Sequence, residues 1–177
     1  MKLVVLDRDG VINFDSVHFI KSTNEWIPIP GSLEAIALLN QSGYHVAIAT
    51  NQSGISRGLF DMVMLNAIHD KMHRALGQLG GRVDAMFYCP HSADDHCTCR
   101  KPKPSMMEEI GRRFSQDMKG VPMVGDALRD LQAGAELGMQ PMLVRTGKGE
   151  ETLAAGGLPE GTLIFADLAA AVQHIIS

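Results

Sequence analysis

Two aspartates one residue apart, Asp7 and Asp9, follow the apolar run Leu3-Val4-Val5-Leu6 and precede Gly10. Side chains at i and i+2 of an extended chain point to the same side, so both carboxylates address one space. Like charges that close call for a cation, a shared proton or a basic neighbour. A solvated turn is the competing reading when the stretch is taken alone. Two further apolar runs end in polar groups. Ala47-Ile48-Ala49 leads into Thr50-Asn51-Gln52-Ser53-Gly54, whose hydroxyls and amides suit phosphate oxygens or a plain polar turn. Pro122-Met123-Val124 leads into Gly125-Asp126, with Asp130 four residues on. A third carboxylate there suits an oxygen-ligated Mg²⁺, although Asp126 also reads as the N-cap of the next helix. Arg100-Lys101-Pro102-Lys103-Pro104 sets cations before another helix. Spacing does not decide between Lys101 and Lys103 as a phosphate ligand, and a solvated basic turn accounts for both.

These groups need strands that end together. Lys2–Leu6, Tyr44–Thr50, Val83–Tyr88, Val121–Val124, Pro141–Val144 and Thr162–Phe165 read as strands. Gly31–Gln41, a segment capped by Asp61, residues 104–116, residues 127–137 and Leu168–Ile176 read as helices by apolar period and capping. The alternation predicts an α/β fold, a three-layer, doubly wound and mainly parallel sheet, in a single domain over residues 1–177. Ligands of such sheets bind at the carboxyl ends of the strands, where the aspartates emerge. Residues 7–30 form a connection too long to be a mere link, which points to a functional segment. Trp26 reads as its anchor.

The chain of 177 residues, 45% hydrophobic and 20% charged, has the composition of an ordinary globular protein. A net charge of −4 argues against nucleic acid or an anionic membrane as the main partner. No apolar run reaches the ~20 residues of a membrane span, and no signal peptide is evident. A cytoplasmic monomer acting on a small molecule is the expectation.

All three cysteines lie in Cys89-Pro-His91 and Cys97-Thr-Cys99. With His91 they supply the ligand number and type of a closed structural Zn²⁺ site, in a loop of about residues 89–101. An odd cysteine count disfavours disulfides; buried inert thiols are the plain alternative, and His96 competes as the fourth ligand. Metal in this loop would fix Arg100 and Lys101, which follow Cys99 directly.

Asp-x-Asp-Gly-Val, a strand ending in Thr-Asn, a lysine before a helix, and Gly-Asp with a second aspartate arrive in the order of the four-part signature of haloacid-dehalogenase (HAD) superfamily phosphatases, which this chain resembles over about residues 3–148. The resemblance implies Asp7 as nucleophile, Asp9 as general acid and base, and Thr50 and Lys101 cradling the transferred phosphoryl group. It further implies Mg²⁺ held by Asp7, the Asp9 backbone carbonyl and Asp126, with Asp130 in an orienting role. The gaps after Asp9 and Gly54 are short, which implies a site without a cap domain. Cys-Pro-His, Cys-x-Cys-Arg-Lys-Pro, Asp-Arg-Asp-Gly and Thr-Asn-Gln-Ser-Gly-Ile are similar to the D-glycero-D-manno-heptose 1,7-bisphosphate 7-phosphatases, with histidinol-phosphatases as relatives. Removal of the C7 phosphate, in the supply of nucleotide-activated heptose for lipopolysaccharide, is then implied. Asn51, Gln52, Ser53 and Arg100 would bind substrate, Lys101 is favoured over Lys103, and the Cys/His site would carry structural Zn²⁺. Asp15-Ser16-Val17-His18 departs from the Asp-His-Gly-Tyr of that family.

Histidinol phosphate is the alternative substrate within this chemistry. A phospho-accepting receiver domain also gathers aspartates, Thr and Lys on a doubly wound sheet, but it lacks an acid/base aspartate two residues past the nucleophile. His69-Asp70-Lys71-Met72-His73 lacks the glutamate of a metalloprotease motif, and an exposed helix face is expected there. Gly147-Lys148-Gly149 has a phosphate contact as one reading and a mobile turn as the favoured one.

Overall fold

The computed structural model describes residues 1–177. Its centre is the strand β1 (Leu3–Leu6), apolar at every position and fully enclosed, as a strand covered on both faces must be. Around it stand β2 (His45–Asn51), β3 (Ala85–Cys89), β4 (Pro122–Gly125), β5 (Gln140–Val144) and β6 (Leu163–Phe165). The order is β3-β2-β1-β4-β5-β6, and every neighbouring pair is parallel. The chain winds outward from β1 through β2 and β3, then crosses back and winds the other way from β4. The switch point therefore lies between β1 and β4, where a crevice opens beyond the strand ends.

Strand alternation sorts the core into two layers. Val4, Leu6, Val46, Ile48, Val124 and Val144 face α1 (Ser32–Gln41), α2 (Met62–Gln78) and α6 (Leu168–Ile176). Leu3, Val5, Ala47, Ala49 and Met123 face α3 (Ser105–Phe114) and α4 (Leu128–Ala135). Asp61 caps α2 by accepting from the Met64 N–H at 2.9 Å. The connection from residue 7 to 31 carries only a single 3-10 turn, Thr23–Glu25. It is pinned by Trp26, 1% exposed, and by Lys71 of α2, whose Nζ donates to the carbonyls of Thr23 and Trp26 at 2.7 and 2.9 Å. No helix is long and apolar enough to cross a membrane.

Two expectations are corrected. Residues 146–148 do form a turn, but it leads directly into a helix that the sequence reading did not foresee, α5 (Gly149–Ala155), which Thr152 Oγ1 ties to the Asp126 carbonyl at 2.8 Å. The face of α2 carrying His69 is not exposed. His69 is 8% exposed and lies on the same stripe as the buried Leu65, Ile68 and Met72, whereas His73 faces outward.

Candidate active site

Asp7 is the first residue past β1, and Asp126 the first past β4. The pairing of those strands, continued by the Asp7 N–H donating to the Val124 carbonyl at 3.0 Å, sets the two carboxylates side by side. Asp130, in the first turn of α4, completes a cluster in which one carboxylate oxygen from each of the three aspartates lies within 4.8 Å of the others. Such proximity needs room that only glycine leaves. A Cβ on Gly10, at φ +83°, would sit 2.0 Å from Asp126 Oδ2, and one on Gly125 would sit 2.4 Å from the Asp130 Cβ.

Burial raises the Asp7 carboxyl to about 7, with the Asp130 charge adding to it against the pull of Lys101. Burial, then Asp7 and Asp130, raise Asp126 to about 8. Hard oxygen donors that hold protons so tightly fit a divalent cation, whose charge would replace those protons.

Lys101 supplies the positive counterpart. Its fully buried Nζ lies 2.6 Å from Asp130 Oδ1 and 3.1 Å from Asp7 Oδ1, and donates to the Ala49 carbonyl at 2.7 Å. Burial works against its charge, but Asp130 and Asp7 outweigh that and hold its pKa above the usual lysine range. Lys103 instead reaches the Cys97 carbonyl at the surface. Asn51 clasps Lys101 from both sides: its Nδ2 donates to the Lys101 carbonyl at 3.2 Å, and its Oδ1 accepts from the Lys101 N–H at 3.1 Å.

Asp9 is differently placed. Its Oδ1 accepts from Arg8 Nε and Nη2 at 3.0 and 2.8 Å and from Asn13 Nδ2 at 2.9 Å, while its Oδ2 accepts from Gln52 Nε2 at 3.1 Å. Gln52 Nε2 also donates to Thr50 Oγ1 at 2.9 Å. Burial pulls the Asp9 carboxyl upward, yet the Arg8 charge and these hydrogen bonds overcome it and hold the carboxyl below its usual range.

Asp7, Asp9, Asn51, Ser53, Arg100 and Asp126 line one cavity of about 270 Å³. Thr50, Gln52 and Lys101 are buried against its floor residues. A larger hollow of about 740 Å³ runs along residues 55–64 and contains none of these carboxylates. Sequence reasoning set Lys148 aside as part of a turn and passed over Arg129, and both line the cavity. Lys148 donates its backbone N–H to Asp126 Oδ2 at 2.9 Å. Arg129 lines the cavity with its Nε buried and unpartnered. Burial opposes the Arg129 charge, but Asp130, Asp7 and Asp126 raise its pKa. A cation three residues after Asp126, on the N-terminal turn of α4, is the one signal that could have pointed to it.

The three cysteines are free thiols whose Sγ atoms gather with His91 Nδ1 within 4.8 Å of one another; Cys89 lies 2.7–3.5 Å from Cys99, Cys97 and His91, and His91 lies 3.3 Å from Cys99. The edges of a tetrahedron with ~2.3 Å bonds are ~3.8 Å, so the quartet is close to metal-binding spacing. His96 stands outside the cluster. Arg100 Nη1 donates to the His91 carbonyl at 3.2 Å, which joins this loop to the cavity.

A family model described as HAD-hydrolase-like matches residues 98–171. The chain is 61% identical over 176 residues to a D-glycero-beta-D-manno-heptose-1,7-bisphosphate 7-phosphatase of Bordetella bronchiseptica, covering 99% of this chain and 98% of that one. It is 52% identical to the protein of the same name from Pseudomonas aeruginosa, over 98% and 97% of the two chains. Its fold superposes with a TM-score of 0.98 on a crystal structure of the D,D-heptose 1,7-bisphosphate phosphatase of B. bronchiseptica complexed with magnesium and phosphate, at 61% identity and 99% and 98% coverage. With near-complete coverage at such identity, this chain belongs to the D-glycero-beta-D-manno-heptose-1,7-bisphosphate 7-phosphatase family of HAD-like hydrolases.

Proposed function

We propose that this chain removes the C7 phosphate of D-glycero-beta-D-manno-heptose 1,7-bisphosphate, in the cytoplasm, as a step toward nucleotide-activated heptose for lipopolysaccharide. The observation that carries this reading is the buried Lys101 ammonium, 3.1 Å from the Asp7 carboxylate, beneath a cavity that Arg100 and Arg129 line. A carboxylate beside fixed cations can receive a phosphoryl group that water alone would leave strongly hydrated.

Asp7 attacks phosphorus in line and the ester bond to the sugar breaks, leaving an aspartyl phosphate. Asp9 delivers a proton to the departing C7 oxygen, then takes one from the water that cleaves the acyl phosphate and restores Asp7. Its carboxyl is ionised in the ligand-free site at neutral pH, and the charge of the arriving phosphate raises its proton affinity. Lys101 and the Thr50 hydroxyl stabilise the transferred oxygens, while Asp130 and Asn51 hold Lys101 in place. Ser53, Arg100 and Arg129 engage the substrate, with paired arginines suited to the phosphate that is not transferred. Asp7, Asp126 and the Asp9 carbonyl would hold Mg²⁺, which supplies charge neutralisation between nucleophile and phosphate. Cys89, His91, Cys97 and Cys99 would hold a structural Zn²⁺ that steadies Arg100, and metal analysis of the purified chain is expected to return one zinc per molecule.

Phosphate release measured across both heptose bisphosphate anomers, other sugar phosphates and histidinol phosphate tests the reading. A clear preference for the beta bisphosphate is expected. Preference for histidinol phosphate would overturn the substrate, and accumulation of phosphoprotein without repeated turnover would overturn the reaction.

The acidic cluster also predicts how pH and Mg²⁺ act on stability. Asp7 and Asp126 have an ordinary pKa of 3.8 and are raised to about 7 and about 8 in the metal-free fold. Their protonated forms therefore favour the fold, a contribution complete below their unfolded values and lost as pH rises through the folded ones. In chelator, the melting temperature is expected to fall between about pH 5 and pH 9. Added Mg²⁺ is expected to raise it more at the alkaline end, where no protons compete. A Mg²⁺ effect that shrinks as pH rises would contradict this.

A further inference from the structure

Arg8, the residue between the two aspartates, has its side chain fully buried, which a guanidinium tolerates only when its donors are taken. Two of them, Nε and Nη2, converge on Asp9 Oδ1 at 3.0 and 2.8 Å. Nη1 turns the other way and meets His69 Nε2 at 3.0 Å across the gap between β1 and α2. Arg has no acceptor, so it donates and His69 Nε2 must accept, which places the ring proton on Nδ1 and leaves the imidazole neutral. Burial, followed by the Arg8 charge, lowers the His69 pKa to about 3, in agreement with that geometry. The helical period of α2 puts residue 69 on the stripe of Leu65, Ile68 and Met72, where an apolar side chain would pack without any polar cost. A histidine there satisfies the one Arg8 nitrogen that faces away from Asp9.

Fixing Nη1 fixes the plane of the guanidinium, because the group is rigid. The forked contact then saturates Asp9 Oδ1, which also accepts from Asn13 Nδ2, whereas Oδ2 has only the single longer contact from Gln52. We propose that His69, acting through Arg8, is a positioning residue for the Asp9 carboxyl, and makes Oδ2 the oxygen that carries the proton to the leaving group. The inference rests on the phosphatase reading of the same cavity.

The test compares two leaving groups. Only steps up to leaving-group departure enter kcat/KM, and p-nitrophenolate departs without a proton, whereas a sugar alkoxide needs one. His69→Leu is expected to lower kcat/KM for heptose 1,7-bisphosphate by about 10- to 100-fold, part of what a general acid contributes. For p-nitrophenyl phosphate it is expected to leave kcat/KM within about 3-fold while lowering kcat, since Asp9 must still activate water. His69→Gln, whose amide oxygen can accept from Arg8, is expected to recover most of the loss, and the Mg²⁺ activation constant is expected not to move. If the leucine variant does not fold, His69→Asn serves instead, its shorter amide falling short of Arg8. Equal losses on both substrates, no loss on either, or no recovery with glutamine would overturn the proposal. Wild-type inactivity on heptose 1,7-bisphosphate would instead count against the substrate assignment, and the comparison would then be read on glycerol phosphate.

Discussion

Asp7→Asn is expected to reduce phosphate release by at least roughly 10⁴-fold, because an amide oxygen is far too weak a nucleophile to take the phosphoryl group in place of the carboxylate beside Lys101. The substitution is close to isosteric. Asparagine Oδ1 can still accept from the Arg8 N–H and from Lys101 Nζ, which contact Asp7 Oδ1 at 2.8 and 3.1 Å. The fold is therefore expected to survive. At about pH 8 the metal-free variant is expected to melt higher than the parent, since a neutral amide relieves the crowding that raises Asp7 to about 7. Rapid-quench labelling with radioactive phosphate ester is expected to give phosphoprotein with the parent chain and none with the variant. Turnover near the parent rate in Asp7→Asn would remove the covalent step and the roles built around it.

The contrast between Asp7 and Asp9 marks how far the sequence could be read. Strand ends are local features: an apolar run followed by Asp, Thr-Asn or Gly-Asp is visible without the fold, and the doubly wound pattern says that such ends share one edge. The Cys/His loop is legible for the same reason, its ligands lying within eleven residues. What could not be read was which groups across the chain complete each carboxylate. Asp9 looks like a twin of Asp7 two residues on, yet Arg8, Asn13 and Gln52 keep it ionised while Asp7 is driven toward its neutral form. The missing glutamate rules out a metalloprotease motif at His69 and His73 and suggests an exposed face, yet the spacing of His69 to Leu65 and Met72 places it on the buried stripe. The signal was present, but its meaning needed Arg8, 61 positions away. Arg129 was hidden likewise, since an arginine on the first turn of a helix is ordinarily solvated. Only the crossing from β3 to β4 sets Lys101 and Arg100 against that turn.

Lys101→Met is expected to damage both stability and catalysis, and the two losses can be separated. Removing the ammonium leaves Asp130, fully buried, without the ion pair that offsets its desolvation, and breaks the hydrogen bond to the Ala49 carbonyl. Stripping one partner from a buried pair costs about 3–5 kcal/mol, which for a domain of this size lowers the melting temperature by roughly 6–20 °C. Loss of the charge facing the phosphoryl oxygens is expected to slow turnover by roughly 10²- to 10³-fold. Lys101→Met combined with Asp130→Asn removes both charges. The double variant is expected to regain much of the stability, because replacing a whole buried pair is far less costly than orphaning one member. It is not expected to regain activity, since nothing restores the positive charge 3.1 Å from Asp7. Asp130→Asn alone is then informative in the opposite sense. The lysine keeps Asp7 as its partner, so a modest stability loss and a partial rate loss are expected. If the double variant were as unstable as Lys101→Met, the buried pair would not be the source of the instability. If it turned over like the parent, Lys101 would be a structural lysine and the phosphate seat would have to be sought at Arg100 and Arg129.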